Sequence, residues 1–481
     1  MRKALYVVIV AVLVVAGCVK RFTNEPLGDQ PPKTFLSLLP DSTLRSTQSE
    51  QHIHWWGVDP DGFVVGYYFS FDSLQWTFTT QTDSVFSLRL NTSDTTYTFF
   101  VAAVDNEGLR DPHPASLKYP IYNSPPSVSF NVNSNVPETT YTVATFQWTG
   151  TDPDGNGTIT SYYYALDDTS NPANWKALPG YADTVTLTKN DGVTGGPTPG
   201  STRRHFFYLK AQDIAGAFST TIVMPDTSTA NGHIPDKFWN VKEPVGDFII
   251  IRDYLPSDFA ASFYQQMFDT LTIGGVAGRW QNYDMIDIKK GSSAIKRGDF
   301  VPALINPTFS ETLELFKYVF WYADNSPSLD IANGSLPAFE KNGGKVLFCA
   351  GFPQYASAQG GLGDVAPIDG IEGSPFASKL LAGDTVVAVD PTYPTLVRDT
   401  NGDIYTFPRG LLPKVNARVL YEMQKSPRWA SRDTLPIIMG VKDADQPSFV
   451  LLGVLLHRFG TPPDNVAALL RHVFNDEFGA Q

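Results

Sequence analysis

Cysteine is nearly absent from this chain. Its 481 residues carry two, Cys18 and Cys349. A fold stapled by several disulfides is therefore excluded, and each domain must stand on its own apolar core. Long apolar runs are missing too. The run that opens the chain, residues 4–16, is 13 residues long, whereas a membrane-crossing helix needs about 20. Positive charge is in deficit, with 36 Lys and Arg against 49 Asp and Glu and a net charge of −13. There is no basic stripe. A nucleic-acid partner is not expected, because neutralising phosphates takes clustered Lys and Arg. The acidic balance reads as a soluble, non-sticking surface.

What is present starts at the N terminus. Arg2 and Lys3 precede the apolar run, which ends in Val15-Ala16-Gly17-Cys18. A positive start, a short apolar region and a small-residue cleavage site make a secretion signal. The last four residues resemble the bacterial lipobox: an aliphatic residue, two small residues and a cysteine. The resemblance implies diacylglycerol on the Cys18 sulfur, cleavage before Cys18, and fatty acylation, as with palmitate, of the new amino terminus. Residues 1–17 would be the signal peptide and 18–33 a lipidated tether, broken up by Pro and Gly. Loss of Arg2 and Lys3 takes the charge from −13 to −15 (−13 − 2). With Cys18 consumed, no intramolecular disulfide remains. More than one acyl chain gives stable anchoring. The expected location is a membrane surface outside the cytoplasm, facing the periplasm or the cell exterior. Val19, where some inner-membrane lipoproteins carry aspartate, inclines this resemblance towards the outer membrane.

At ~100–200 residues per domain, the length predicts about three domains. An internal repeat marks two of them. Trp55-Trp56-Gly57-Val58-Asp59-Pro60-Asp61-Gly62 matches Trp148-Thr149-Gly150-Thr151-Asp152-Pro153-Asp154-Gly155 at an offset of 148 − 55 = 93. Each copy continues into an aromatic strand, then a tryptophan (Trp76, Trp175), and closes on a strand ending in aspartate with glycine three residues later (Asp105 and Gly108, Asp213 and Gly216). Short aromatic and β-branched segments between turns predict antiparallel β-sandwiches. The copies resemble immunoglobulin-like or fibronectin type III-like modules of bacterial surface proteins, over 34–123 and 124–240. The second carries a Gly/Pro/Thr insertion at 192–200 that reads as a hairpin tip.

The paired aspartates Asp59, Asp61, Asp152 and Asp154 admit two readings. They could be calcium ligands, although an EF-hand loop needs further oxygen donors at fixed offsets, and Tyr and Phe stand there. They could equally belong to β-turns, with Pro setting φ and Gly supplying positive φ.

From residue 245 onwards, apolar runs alternate with amphipathic helices, which predicts an α/β domain over 245–481. Strands are expected at 247–253, 318–322, 345–348 and 449–453. A helix capped by Ser257 should present Phe259, Phe263, Met267 and Leu271. A short helix is expected at about 336–342. A closing helix from Pro463 should bury Val466, Leu469, Leu470 and Val473.

Helix, Gly343-Gly344, strand and Cys349-Ala350-Gly351 together resemble a region of the class I glutamine amidotransferase-like superfamily, a flavodoxin-like α/β fold. There a cysteine sits on a strand-to-helix elbow, where a helix N-terminus lowers its pKa. The resemblance implies Cys349 as nucleophile, and His457 as a base if the sheet closes as in that family. Leu347 and Pro353 stand where the amidotransferases have glycine and glutamine, and neither His457-Arg458-Phe459 nor His472-Val473-Phe474 supplies the family's His-x-Glu. The residues also fit a buried structural cysteine and a hydrogen-bonded structural histidine. Asp324 and Asn325 fall at a strand's C-terminal end, where α/β sheets place ligands. No cofactor is expected. The leading functional expectation is a binding, interaction or structural role in the cell envelope, with membrane contact through the lipid and a protein or glycan partner. The alternatives are a cysteine hydrolase or amidase using Cys349 and His457, and a carbohydrate-binding protein using Trp55, Trp76 and Trp175.

Overall fold

The computed structural model describes residues 28–37, 50–88, 94–131, 138–226, 239–255, 258–273, 276–277, 283–289, 307–352, 362–372, 379–399, 405–406, 409–423, 436–445, 447–460 and 463–480. The signal, Cys18, Ser257 and Pro353 lie outside the described residues. The chain divides into two compact units. One comprises residues 1–124 with 153–158 and 214–217, and the other comprises the rest. No described helix is long and apolar enough to cross a membrane.

The first unit holds a sandwich of β1 (Lys33–Ser37), β2 (Glu50–Val58), β3 (Val64–Ser70), β4 (Thr77–Thr79), β5 (Asp83–Ser87), β6 (Asp94–Asp105) and β7 (Ala115–Tyr122). Its sheets run β1-β2-β5 and β4-β3-β6-β7, and every pairing is antiparallel. Inward-facing Ile53, Trp55, Tyr67, Phe99, Val101 and Ala103 form its core. Gly57 is required by packing. Its N–H donates to the Tyr67 hydroxyl at 3.0 Å, and a Cβ there would sit 2.8 Å from the Ala103 Cβ.

The second module repeats the plan. β8 (Ser127–Phe130), β9 (Thr139–Thr140), β10 (Val143–Thr151), β11 (Ile159–Leu166), β12 (Lys176–Pro179), β13 (Thr184–Thr188), β14 (Thr202–His205), β15 (Phe207–Asp213), β16 (Ile222–Met224) and β17 (Trp239–Lys242) form sheets β13-β10-β8, β12-β11-β15-β16 and β14-β17-β9. Trp148 takes the place of Trp55 and is 1 % exposed. Gly150 takes the place of Gly57, and a Cβ there would fall 2.0 Å from the Tyr162 hydroxyl. The insertion at 192–200 is packed, which corrects the expected hairpin tip. Val193 is wholly buried in the core, and a Cβ on Gly195 would lie 2.1 Å from the Glu243 nitrogen.

This module belongs to the same compact unit as the C-terminal region. Tyr141 and Lys242 both reach the buried Asp284 carboxylate, at 3.1 and 2.6 Å, and the Thr145 N–H donates to Thr308 Oγ1 at 2.8 Å.

The C-terminal region is built on a nine-stranded sheet. In chain order its strands are β18 (Phe248–Asp253), β19 (Asp284–Asp287), β20 (Tyr318–Ala323), β21 (Lys345–Cys349), β22 (Thr385–Ala388), β23 (Leu396–Val397), β24 (Arg418–Met423), β25 (Ile437–Lys442) and β26 (Phe449–Leu452). Spatially they run β19-β18-β20-β21-β26-β25-β24-β22-β23. The first five are parallel and the remaining pairings antiparallel. Alternate side chains enter two cores. Phe248, Ile250, Phe320, Tyr322, Leu347 and Cys349 join one, with α1 (Ala260–Thr270) and α4 (Pro463–Arg471). Ile249, Ile251, Val319, Trp321, Val346 and Phe348 join the other, with α2 (Pro307–Leu313) and α3 (Leu329–Lys341). Two-sided burial explains why these strands read as continuous apolar runs.

Some expectations are corrected here. The described residues between β21 and β26 hold no α-helix and add antiparallel strands instead. Among the described residues helices are few and strands predominate, so a flavodoxin-like or amidotransferase-like domain does not follow from this secondary structure alone. The buried face of α1 is Ala260, Tyr264, Met267 and Phe268, followed by Leu271; of the expected residues Met267 and Leu271 are buried, whereas Phe259 and Phe263 are not. Asp258 Oδ1 accepts the Ala260 N–H at 3.0 Å, the cap role expected of Ser257.

Candidate functional site

The C-terminal edge of the parallel strands gathers charge. Asp253 ends β18, Asp324 follows β20 and Lys289 follows β19. Lys289 Nζ lies 2.6 Å from Asp324 Oδ1 and 3.4 Å from Asp253 Oδ1. Asp253 is wholly buried and accepts the Ser328 N–H (2.6 Å), the Ser328 hydroxyl (2.8 Å) and Trp321 Nε1–H (3.2 Å). Desolvation raises its carboxyl, and the Ser328 N–H and Lys289 oppose that. Asp324 accepts from the Ser326 and Leu255 N–H groups at 2.8 and 3.0 Å, which ties two strand-end loops together. Asn325 is exposed beside it. Two carboxylates share one ammonium, leaving a net negative edge. The sequence pointed to Asp324 and Asn325 but missed Asp253 and Lys289. Asp253 was legible only as the end of an apolar strand.

Cys349 ends β21, 1 % exposed, in the core shared with α1 and α4. Burial pushes its thiol well above the ordinary range. His457 sits in a short 3-10 turn (Leu456–Phe459), fully buried. Its ring is enclosed by Tyr254, Phe259 and Tyr264 at centroid distances of 5.4, 5.4 and 5.8 Å. Nε2 lies 3.3 Å from Asp258 Oδ2 and 3.2 Å from the Tyr254 hydroxyl, and Nδ1 lies 3.5 Å from the Tyr264 hydroxyl. Arg458 pairs with Asp258 at 2.8 Å. Desolvation takes the His457 pKa down to about 4 despite Asp258, so the ring is neutral near pH 7. The two residues bury against one tyrosine. Tyr264 is wholly buried, and its pKa is raised first by desolvation and then by Cys349. Tyr264 was not expected from the sequence, since the expected face followed Phe259 and Phe263 at the start of the helix, although Met267 and Leu271 are buried as expected.

In the first module, Asp59 and Asp61 lie on the β2–β3 turn, where Asp61 Oδ2 accepts the Gln30 N–H at 3.1 Å. Carboxylate oxygens of Asp29, Asp105 and Glu107 lie within 4.8 Å of one another. Asp105 Oδ1 accepts the N–H groups of Glu107, Gly108 and Leu109 at 3.1, 2.8 and 2.8 Å, and Gly108 has φ +95°. That explains the repeated aspartate-to-glycine strand exit. In the second copy Asp152 and Asp154 are buried, and Asp154 accepts the Ser124 N–H at 2.6 Å.

Trp55 is wholly buried core and offers no glycan platform. Trp76 and Trp175 are half-buried, each beneath a cation: Arg110 at 3.7 Å and Lys210 at 4.2 Å. A cavity of about 210 Å³ opens elsewhere on the C-terminal unit, lined by Glu340, Val365, Pro367, Lys414 and Asp443 among others.

No protein-family model and no curated protein matches the chain. Among solved structures it is similar to a two-domain fibronectin type III segment of chicken tenascin, at 18 % identity over 40 % of this chain and 97 % of that one, TM-score 0.22. It is also similar to fibronectin(III)-like modules of Clostridium thermocellum CbhA, at 15 % identity over 44 % and 94 %, TM-score 0.16. A third similarity is to the PKD1 domain of Vibrio anguillarum Epp, at 17 % identity over 20 % and 96 %, TM-score 0.15. At TM-scores this low the likeness adds nothing to the strand pairing, which by itself defines two tandem β-sandwich modules.

Proposed function

We propose that this chain is a lipid-anchored, extracytoplasmic binding protein of the cell envelope. Two sandwich modules act as spacers, and the C-terminal domain is flavodoxin-like, of the amidotransferase-like type, holding a protein or glycan partner without cysteine chemistry. The observation that carries the binding reading is the burial of Cys349. A thiol 1 % exposed and displaced upwards supplies almost no thiolate at neutral pH. His457 is already engaged by Asp258 and two tyrosine hydroxyls.

The strand order supports the fold part of the reading. Counted in chain order, the parallel strands lie 2-1-3-4-5 with helices against both faces, the order of flavodoxin-type sheets. Asp253 and Asp324 then flank the point where the order reverses, which is where such sheets bind ligands. The anchor rests on Arg2, Lys3, the apolar run and the Val15-Ala16-Gly17-Cys18 end. Cys18→Ser should move the protein out of the membrane fraction.

The test of the binding reading is thiol labelling. In Cys18→Ser the sole thiol is Cys349. We expect no maleimide incorporation in the folded protein and one equivalent in urea. Rapid labelling of the folded protein would favour the hydrolase and overturn the binding reading.

A further inference from the structure

The acidic end of the first module has no part in the function proposed above. Three chain segments meet there: the stretch that enters β1, bearing Asp29; the β2–β3 turn, bearing Asp59 and Asp61; and the β6–β7 turn, bearing Asp105, Asn106 and Glu107. Asp105 is 1 % exposed, and among the described residues its Oδ2 has no hydrogen-bond partner, as is also true of Asp59 Oδ2. Turn capping does not need Asp105 Oδ2, because Oδ1 already takes three backbone N–H groups. A buried anionic oxygen left bare is strongly unfavourable unless something positive faces it.

Gly62 shows that oxygens from both turns converge at this end of the module. A Cβ there would stand 2.4 Å from Asn106 Oδ1, 2.6 Å from Asp59 Oδ2 and 3.3 Å from Glu107 Oε2. Gly62 is not among the positive-φ glycines. Glycine here lets these oxygens close on the turn backbone, where Asn106 Oδ1 also accepts the Phe63 N–H at 2.9 Å.

We propose that this cluster is a calcium site, with Asp59, Asp105 and Glu107 as carboxylate ligands, Asn106 as an amide-oxygen ligand, and Asp29 and Asp61 closing it from the β1 side. The donors are all oxygen, which selects a hard cation. Calcium accepts six to eight oxygens in irregular geometry, whereas magnesium demands a near-ideal octahedron and keeps its waters. Ligands drawn from three segments suit the first ion. The bound cation would tie the segment entering the module to both turns, fixing the start of β1. These ligands form no single contiguous calcium loop, because they are spread from residue 29 to residue 107.

The test is calorimetric titration of CaCl2 into the purified full-length chain in detergent, after chelator treatment, with MgCl2 as comparator. We expect saturable one-site calcium binding and much weaker magnesium binding. Glu107→Gln removes a ligand charge and should weaken calcium binding roughly tenfold or more. Gly62→Ala keeps every charge but forces the Asn106 and Asp59 oxygens apart, and should weaken it comparably while the circular dichroism spectrum stays native. Absence of calcium binding to the folded wild-type chain would overturn the proposal. So would unchanged affinity in both variants, which would move the ion to another site.

Discussion

His457 and Glu340, both in the second unit, are displaced by desolvation in opposite directions. The His457 pKa falls from 6.5 to about 4, and that of Glu340 rises from 4.5 to about 7, with Asp443 adding to the rise. Between pH 6.5 and 4 the unfolded chain binds a proton at His457 that the folded chain refuses, so acidification through that window removes stability. Between pH 7 and 4.5 the folded chain binds a proton at Glu340 that the unfolded chain releases, so acidification adds stability. Each displacement spans 2.5 units (6.5 − 4 and 7 − 4.5). At 1.36 kcal/mol per unit, each corresponds to about 3 kcal/mol. In the wild type the two nearly cancel. His457→Gln should leave the Glu340 contribution, so that lowering the pH from about 7 to about 4.5 stabilises the variant by about 3 kcal/mol relative to wild type. Glu340→Gln should show the reverse. Native-state amide exchange in β18 and β26 measures opening of this unit without assuming that the whole chain unfolds in one step. Parallel pH profiles for wild type and His457→Gln would refute the reasoning.

Other outcomes follow from the same geometry. Lys289→Met leaves Asp253 and Asp324 without their shared cation and should cost about 3 kcal/mol in chemical denaturation of the C-terminal unit; a loss below about 0.5 kcal/mol would show that the pair is solvated. Gly150→Ala drives a methyl into the Tyr162 hydroxyl and should destabilise the second module by about 1–3 kcal/mol, read by exchange of β10 and β11 amides; wild-type protection would mean that Tyr162 moves aside freely.

The sequence alone determined the repeat and its strands. Trp55 and Trp148, Gly57 and Gly150, and the aspartate-to-glycine exits are local solutions to one packing problem, so they recur in the same order in both copies, at offsets of 93 (148 − 55) and 108 (213 − 105). Four of the five parallel strands were equally plain, because burial on both faces leaves no polar alternation to hide them, whereas β19, with its burial alternating along Asp284–Asp287, was not expected. The closing helix showed the buried face it was expected to have, since Val466, Leu469, Leu470 and Val473 are all wholly buried. Tertiary structure decided everything that depends on residues far apart in the chain. Whether Cys349 is a nucleophile or a core side chain turns on what α1 and α4 lay over it. The charge at the strand ends needs Asp253, Lys289 and Asp324 from three separate crossovers. The acidic site needs Asp29 and Glu107, 78 positions apart (107 − 29). Sequence periodicity reports which face of an element is buried. It does not report which elements share that burial, because the free energy of a contact depends on distance in space and not on separation along the chain.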